Sequence, residues 1–169
     1  MLDTGRTGGE YRRVADLVGI AKMAAEGRQL EAKRATAYFE LAARSYLSRC
    51  TNPRMPFRWT INPYRGCEHG CSYCYARPYH SYLDGSPGLD FETRLVARAN
   101  LPQVLQQELS RPTYRPSVLA IGTVTDAYQP IERQYRITRQ ILQIMLDTRH
   151  PCAVVTKGSA ILDDLPLLS

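Results

Sequence analysis

The sequence predicts an α/β fold, a parallel sheet with right-handed crossovers behind a helical extension. Three observations predict it. Strand-like runs at Phe57–Ile61, Val118–Ile121 and Cys152–Val155 alternate with helical periodicity over Val104–Leu109 and Ile131–Asp147. Val118-Leu119-Ala120-Ile121 is continuously apolar, as in a strand buried on both faces. Each strand runs into a polar loop, at Cys67–Cys74, Thr123–Asp126 and Thr156-Lys157. Such loops share the end where barrels and open α/β sheets keep their chemistry.

In chain order, residues 1–9 show no period and hold three glycines, the pattern of a tail. Residues 10–55 form the expected helical extension. Apolar residues recur at helical spacing over Tyr11–Glu26 and Leu30–Leu47, with Ala35, Tyr38, Phe39, Ala42 and Tyr46 on one face and Gly27 between the two helices. Cys50 stands alone beside the Thr51-Asn52-Pro53 break and reads as a free structural thiol. The core spans residues 56–169. Phe57–Ile61 alternates apolar with polar, and Asn62-Pro63 ends that strand. Pro78–Gly88 is irregular, and Asn100 is placed to cap the helix carrying Val104, Leu105 and Leu109. Ile131, Tyr135, Ile141, Leu142, Met145 and Leu146 define one long helix with Glu132 in its first turn. Ser159 opens a final helical segment, Ala160–Leu168.

The 169 residues suffice for one ordinary core, with 44% hydrophobic and 22% charged residues in a globular balance. No uncharged apolar run approaches the ~20 residues of a spanning helix, and residues 1–10 lack a signal-peptide core. A cytoplasmic protein is therefore expected. The net charge of +6 is uneven: residues 1–66 hold 12 Lys and Arg against 6 Asp and Glu, while residues 67–169 hold 10 of each. A basic preceding segment suits nucleic-acid phosphates, although charge runs are more often the solvated faces of helices.

Three of the five cysteines, Cys67, Cys71 and Cys74, fall within eight residues. Thiolates so close, in a chain without a secretory leader, point to a metal rather than to disulfides. Zinc would take a fourth ligand such as His69 or His80. An iron-sulfur cluster held by only three thiolates keeps one iron open. Gly66 and Gly70 bracket the first two cysteines and allow the positive φ of a tight loop.

The C-x3-C-x2-C spacing, with Tyr73 before the third cysteine, resembles the cluster loop of radical S-adenosylmethionine (radical SAM) enzymes. The string Asn62–Cys67 through Cys74-Tyr75-Ala76-Arg77 is similar to the branch of spore photoproduct lyase and its DNA-repair-photolyase-like relatives. The likeness continues through Leu89–Thr93, Gly122–Glu132 and Val155-Thr156-Lys157. The resemblance implies a partial (β/α)6 barrel, a 4Fe-4S cluster on Cys67, Cys71 and Cys74, and S-adenosylmethionine as cosubstrate. It implies reductive cleavage to a 5′-deoxyadenosyl radical, an electron donor of the flavodoxin or ferredoxin type, and a nucleic-acid substrate as one candidate.

Around the cosubstrate the resemblance places Tyr73 against the adenine, Lys157 on the carboxylate, and Thr123, Thr125 and Asp126 on the amino group or ribose. Arg98 and Asn100 stand where the family tends to carry Lys and Asn. No catalytic residue is assigned. Two departures follow from the same comparison. No cysteine lies between Cys74 and Cys152, so lesion reversal through the branch's hydrogen-donor cysteine is not expected. Gly158 and Asp163 replace the family's usual Ser and Arg. Residues 57–169 supply three to four βα units at about 30 residues each, against the family's six, so a truncated copy of the barrel is expected. The competing expectation is a non-catalytic iron-sulfur or zinc-binding module.

Overall fold

Residues 29–33, 36–83 and 85–168 are described by the structure, a computed structural model. In chain order the strands are β1 (Gln29–Lys33), β2 (Thr36–Glu40), β3 (Ser48–Arg49), β4 (Trp59–Ile61), β5 (Tyr64–Arg65), β6 (Arg94–Ala97), β7 (Leu119–Ile121) and β8 (Cys152–Val154). The α-helices are α1 (Asp90–Thr93), α2 (Leu101–Leu109), α3 (Glu132–Tyr135) and α4 (Ile137–Asp147). Arg77–Leu83 and Ser159–Leu167 are 3-10 helices.

The strands form two four-stranded sheets, and neither closes into a barrel. One has the order β3-β4-β7-β8. Within it β4, β7 and β8 run parallel and adjacent, with Ile61 opposite Ile121 and Ile121 opposite Val154. These are the three strands read from the sequence. The other sheet has the order β1-β2-β6-β5, with β2 parallel to β6 and antiparallel pairs at both edges.

The core lies between the parallel strands and the helices. Ile61, Leu119 and Ile121 share one buried cluster with Leu101 and Leu105 of α2 and Ile137, Ile141, Leu142 and Met145 of α4. These positions recur every three to four residues on each helix, so one stripe is buried and the other solvated. Ile141 and Leu142 have no exposed surface, and each such burial contributes about 1.5–3 kcal/mol. Among the described residues no helix is long and apolar enough to cross a membrane.

Several expectations are corrected. In place of the helix expected over Leu30–Leu47 the chain forms the antiparallel strands β1 and β2, with Tyr38 opposite Glu31, and then runs irregularly over residues 41–47. Tyr38 and Phe39 satisfy helical spacing, but aromatic residues also suit a strand, and the edge of β6 supplies a partner that local periodicity cannot reveal. The tail, Gly27 and the helix expected over Tyr11–Glu26 lie outside the described residues. The long helix expected over Ile131–Asp147 is two helices. Arg136 takes φ 49° between them, ending α3 before α4 begins. The final helical segment is 3-10, with Pro166 inside it and no side-chain cap. Asn100 precedes α2 but makes no side-chain cap bond; Leu101 starts that helix, with Pro102 in its first turn.

Candidate metal centre

After β4 the chain passes Asn62-Pro63 into β5 of the other sheet, and the cysteine loop leaves β5 to lie against the loops that follow β7 and β8. Asn62 pins the crossing: its Oδ1 accepts the Val124 N–H at 2.9 Å, and its Nδ2 reaches Thr123 Oγ1 at 3.3 Å. The loop is thereby tied to the exit of β7. Gly66 and Gly70 both take the positive φ expected of them, 74° and 59°. At Gly66 a side chain is also excluded by space, since a Cβ would stand 2.8 Å from the Phe91 carbonyl.

Within the loop, Cys67 N–H bonds the Phe91 carbonyl at 2.8 Å, and turns close Gly70 on Cys67 and Cys74 on Cys71. Arg77 staples the far side. Its Nε donates to the Cys71 carbonyl at 2.9 Å, Nη2 donates to the Gly70 carbonyl at 2.7 Å and pairs with Glu92, and the guanidinium lies 5.2 Å from the Phe91 ring centre. The sequence reading gave Arg77 no role. Its place beside the third cysteine in the resembling string was the available signal.

Cys67, Cys71 and Cys74 line one cavity of about 370 Å³ together with Tyr73, Thr123, Thr125, Asp126 and Lys157. Eight of the ten candidate residues named from the sequence thus face one space, whose volume is that of a small-molecule site. All five cysteines are free thiols. Burial pushes the Cys67 thiol up to about 11, against the backbone hydrogen bonds of His69 and Asp126, which oppose the rise. A bound cation reverses that tendency, because a coordinating thiol is deprotonated outright.

Across the cavity, Lys157 Nζ donates to Cys71 Sγ at 3.2 Å and to the Tyr73 hydroxyl, and lies 4.6 Å from the centre of the Tyr73 ring. Its hydrogen bonds to Tyr73 and then to Cys71 push its ammonium pKa above the usual lysine value. Tyr73 is 78% exposed, so it is not a packed core aromatic. Asp126 is buried and committed: Oδ1 accepts the Tyr128 N–H at 2.8 Å and the Thr156 hydroxyl at 2.7 Å, while Oδ2 accepts the Lys157 N–H at 2.7 Å. It shapes its own turn and also fixes the loop that carries Lys157. His69 Nε2 stands 3.4 Å from Asp126 Oδ2. The Thr125 hydroxyl donates to the Gly66 carbonyl at 2.6 Å, and Tyr75 donates to the Thr123 carbonyl.

Arg98 and Asn100 are not among the residues lining this cavity. Arg98 Nη1 donates to the Asn62 carbonyl at 3.0 Å, and its guanidinium lies 5.0 Å from the Tyr46 ring centre. Burial, and then the like charge of Arg65, lower it to about 10. Asn100 Nδ2 donates to the Ala43 carbonyl at 2.9 Å, while Oδ1 accepts the Ala43 N–H at 3.2 Å and the Tyr46 hydroxyl. Both residues hold the segment after β2 to the start of α2. His80 is buried edge-on to Phe91, and burial lowers it to about 4. His150 bonds the Tyr114 hydroxyl at 2.7 Å, beside the turn where the sequence put it.

No family model matches the chain, and no solved structure matches it. Uncharacterized proteins of Mycobacterium bovis and Mycobacterium tuberculosis are each 42% identical to it over 133 residues, 78% of this chain and 39% of theirs. An uncharacterized protein of Methanocaldococcus jannaschii is 32% identical over 113 residues, 65% of this chain and 39% of its own length. The chain spans about two fifths of the length of the curated relatives it matches.

Three cysteine thiols on one cavity are donors of a kind that iron-sulfur clusters and zinc both take. Among the described residues no group of three or more His, Cys, Asp or Glu side chains could hold a single metal ion. Cys67, Cys71 and Cys74 line the cavity together, and both Asp126 carboxylate oxygens are already hydrogen-bonded within the protein.

Proposed function

We propose that the chain is a radical SAM protein that binds a 4Fe-4S cluster through Cys67, Cys71 and Cys74 and cleaves S-adenosylmethionine reductively. The parallel strands β4, β7 and β8 are read as the first units of that family's partial barrel. The observation that carries the reading is the single cavity in which the three thiols face the exit loops of β7 and β8.

Cys67, Cys71 and Cys74 would hold the cluster, which would supply the electron for reductive cleavage of the sulfonium cosubstrate. The rest is done by the polypeptide. Lys157 offers a full positive charge at the cavity wall, suited to the cosubstrate's carboxylate. Asp126 holds the Lys157 backbone in place, and Thr123 presents a hydroxyl tethered by Asn62. Tyr73 and Tyr75 stand exposed at the rim, where an adenine can stack. Arg98 and Asn100 serve this site only through the segments they hold together.

An enzyme of this kind draws electrons from a flavodoxin- or ferredoxin-like donor, and its substrate includes nucleic acid among the candidates. The test is an anaerobic turnover assay on iron- and sulfide-reconstituted protein with dithionite. Production of 5′-deoxyadenosine that depends on all three cysteines is expected. Bound zinc with no cleavage would instead make the chain a non-catalytic metal module.

A further inference from the structure

We propose that Gln129 is a positioning residue of the cysteine site, holding the backbone on both sides of Cys67 and so fixing where that sulfur sits. Gln129 lies in the loop after β7 and is 1% exposed. Its Oε1 accepts the Glu68 N–H at 2.8 Å, and its Nε2 donates to the Gly66 carbonyl at 3.1 Å and to Thr125 Oγ1 at 2.8 Å. The Thr125 hydroxyl in turn donates to the same Gly66 carbonyl at 2.6 Å. The residues immediately before and after Cys67 are therefore bonded to one planar amide.

The three cysteines are held in different ways. Cys71 and Cys74 lie in turns that Arg77 staples from outside. Cys67 has no such turn on its amino-terminal side; its own N–H bonds Phe91, and its neighbours depend on Gln129. Only an amide offers an acceptor and two donors in this plane, so neither leucine nor glutamate reproduces the pattern. Glu68 adds a link to the other sheet, since its carboxylate accepts the Tyr38 hydroxyl of β2. A strand-exit loop with no cysteine of its own thus sets the first cysteine of a neighbouring loop. Its functional consequence rests on the metal-centre reading above, because ligand position and hydrogen bonding tune a cluster's potential. The clamp itself belongs to the polypeptide.

The experiment has two arms. In the first, metal-free reduced protein is alkylated anaerobically with iodoacetamide, and modification rates at Cys67 and at half-buried Cys152 are read by mass spectrometry. In Gln129→Leu the Cys67 to Cys152 rate ratio is expected to rise roughly tenfold, as local opening without global unfolding predicts. Gln129→Glu is expected to give a smaller rise. If Gln129→Leu does not fold, Gln129→Glu and Thr125→Val carry the same test. An unchanged ratio, or both rates rising together, overturns the proposal. In the second arm, the reduction potential of reconstituted Gln129→Glu is expected to differ from the wild type at equal iron content, and an equal potential overturns the link to the cluster. A wild-type chain that takes up no iron overturns the metal-centre reading alone, and the thiol ratio still decides the clamp.

Discussion

The two sheets contribute to the site in opposite ways. The parallel strands β7 and β8 deliver one wall directly, since Thr123, Asp126 and Lys157 lie on the loops leaving their carboxyl ends, while the cysteines follow β5 a few residues beyond β4. The β1-β2-β6-β5 sheet supplies no cavity residue beyond the loop itself, yet it braces that loop from behind. Tyr38 of β2 bonds Glu68, Phe91 beside β6 receives the Cys67 N–H, and Arg98 and Asn100 lock the segment after β2. The difference separates residues that meet a ligand from residues that hold those residues still.

The sharpest way to break this comparison is to move a thiol. Substituting Cys67, Cys71 or Cys74 by serine is expected to abolish stoichiometric iron uptake. Cys50→Ser and Cys152→Ser are expected to leave iron content unchanged, by colorimetric iron and sulfide analysis. Next in size is Arg77→Gln, which removes several hydrogen bonds and an ion pair from the loop. A loss of about 2–4 kcal/mol is expected in urea unfolding of the metal-free chain.

His80 tests the bracing side by pH. Burial keeps it neutral in the folded chain down to about pH 4, whereas the unfolded chain protonates it near 6.5. Between those values the unfolded state binds more protons, so stability falls as pH drops through that window. Its loss is expected to be of order 1–3 kcal/mol, and His80→Gln should flatten the slope of the urea midpoint against pH. On the binding side, Lys157→Met is expected to weaken S-adenosylmethionine binding roughly tenfold in calorimetry of the cluster-loaded protein. Asn100→Ala should lower the melting temperature and spare that affinity. The smallest effect is Tyr38→Phe, about 1 kcal/mol in stability, for the hydroxyl that joins the second sheet to Glu68.

The same division marks what the sequence made legible. Val118–Ile121 reads as a buried strand because a continuous apolar run has few other uses, and the strand formed as Leu119–Ile121. Spacing, resemblance and strand-end logic single out the cysteines, Lys157 and Asp126, and these residues line one cavity. Thr36–Glu40 was misread because the signal that decides it is pairing with Arg94–Ala97, more than fifty residues away. Arg98 and Asn100 lie away from the cavity for a related reason. Resemblance gave them positions in the chain, while the direction of their side chains depends on Tyr46 and Ala43, whose place follows from that distant pairing. Gln129 and Arg77 act largely on backbone carbonyls and N–H groups, which carry no residue-specific mark in the sequence.

The most direct test of the central claim is metal and sulfide stoichiometry of the anaerobically reconstituted chain, followed by electron paramagnetic resonance of the reduced protein with and without S-adenosylmethionine. About four iron and four sulfide per chain, with a spectrum that changes on adding the cosubstrate, is expected of a cluster with one open iron. A single zinc without sulfide, or a cluster whose spectrum ignores the cosubstrate because a fourth protein ligand fills the open iron, would contradict it.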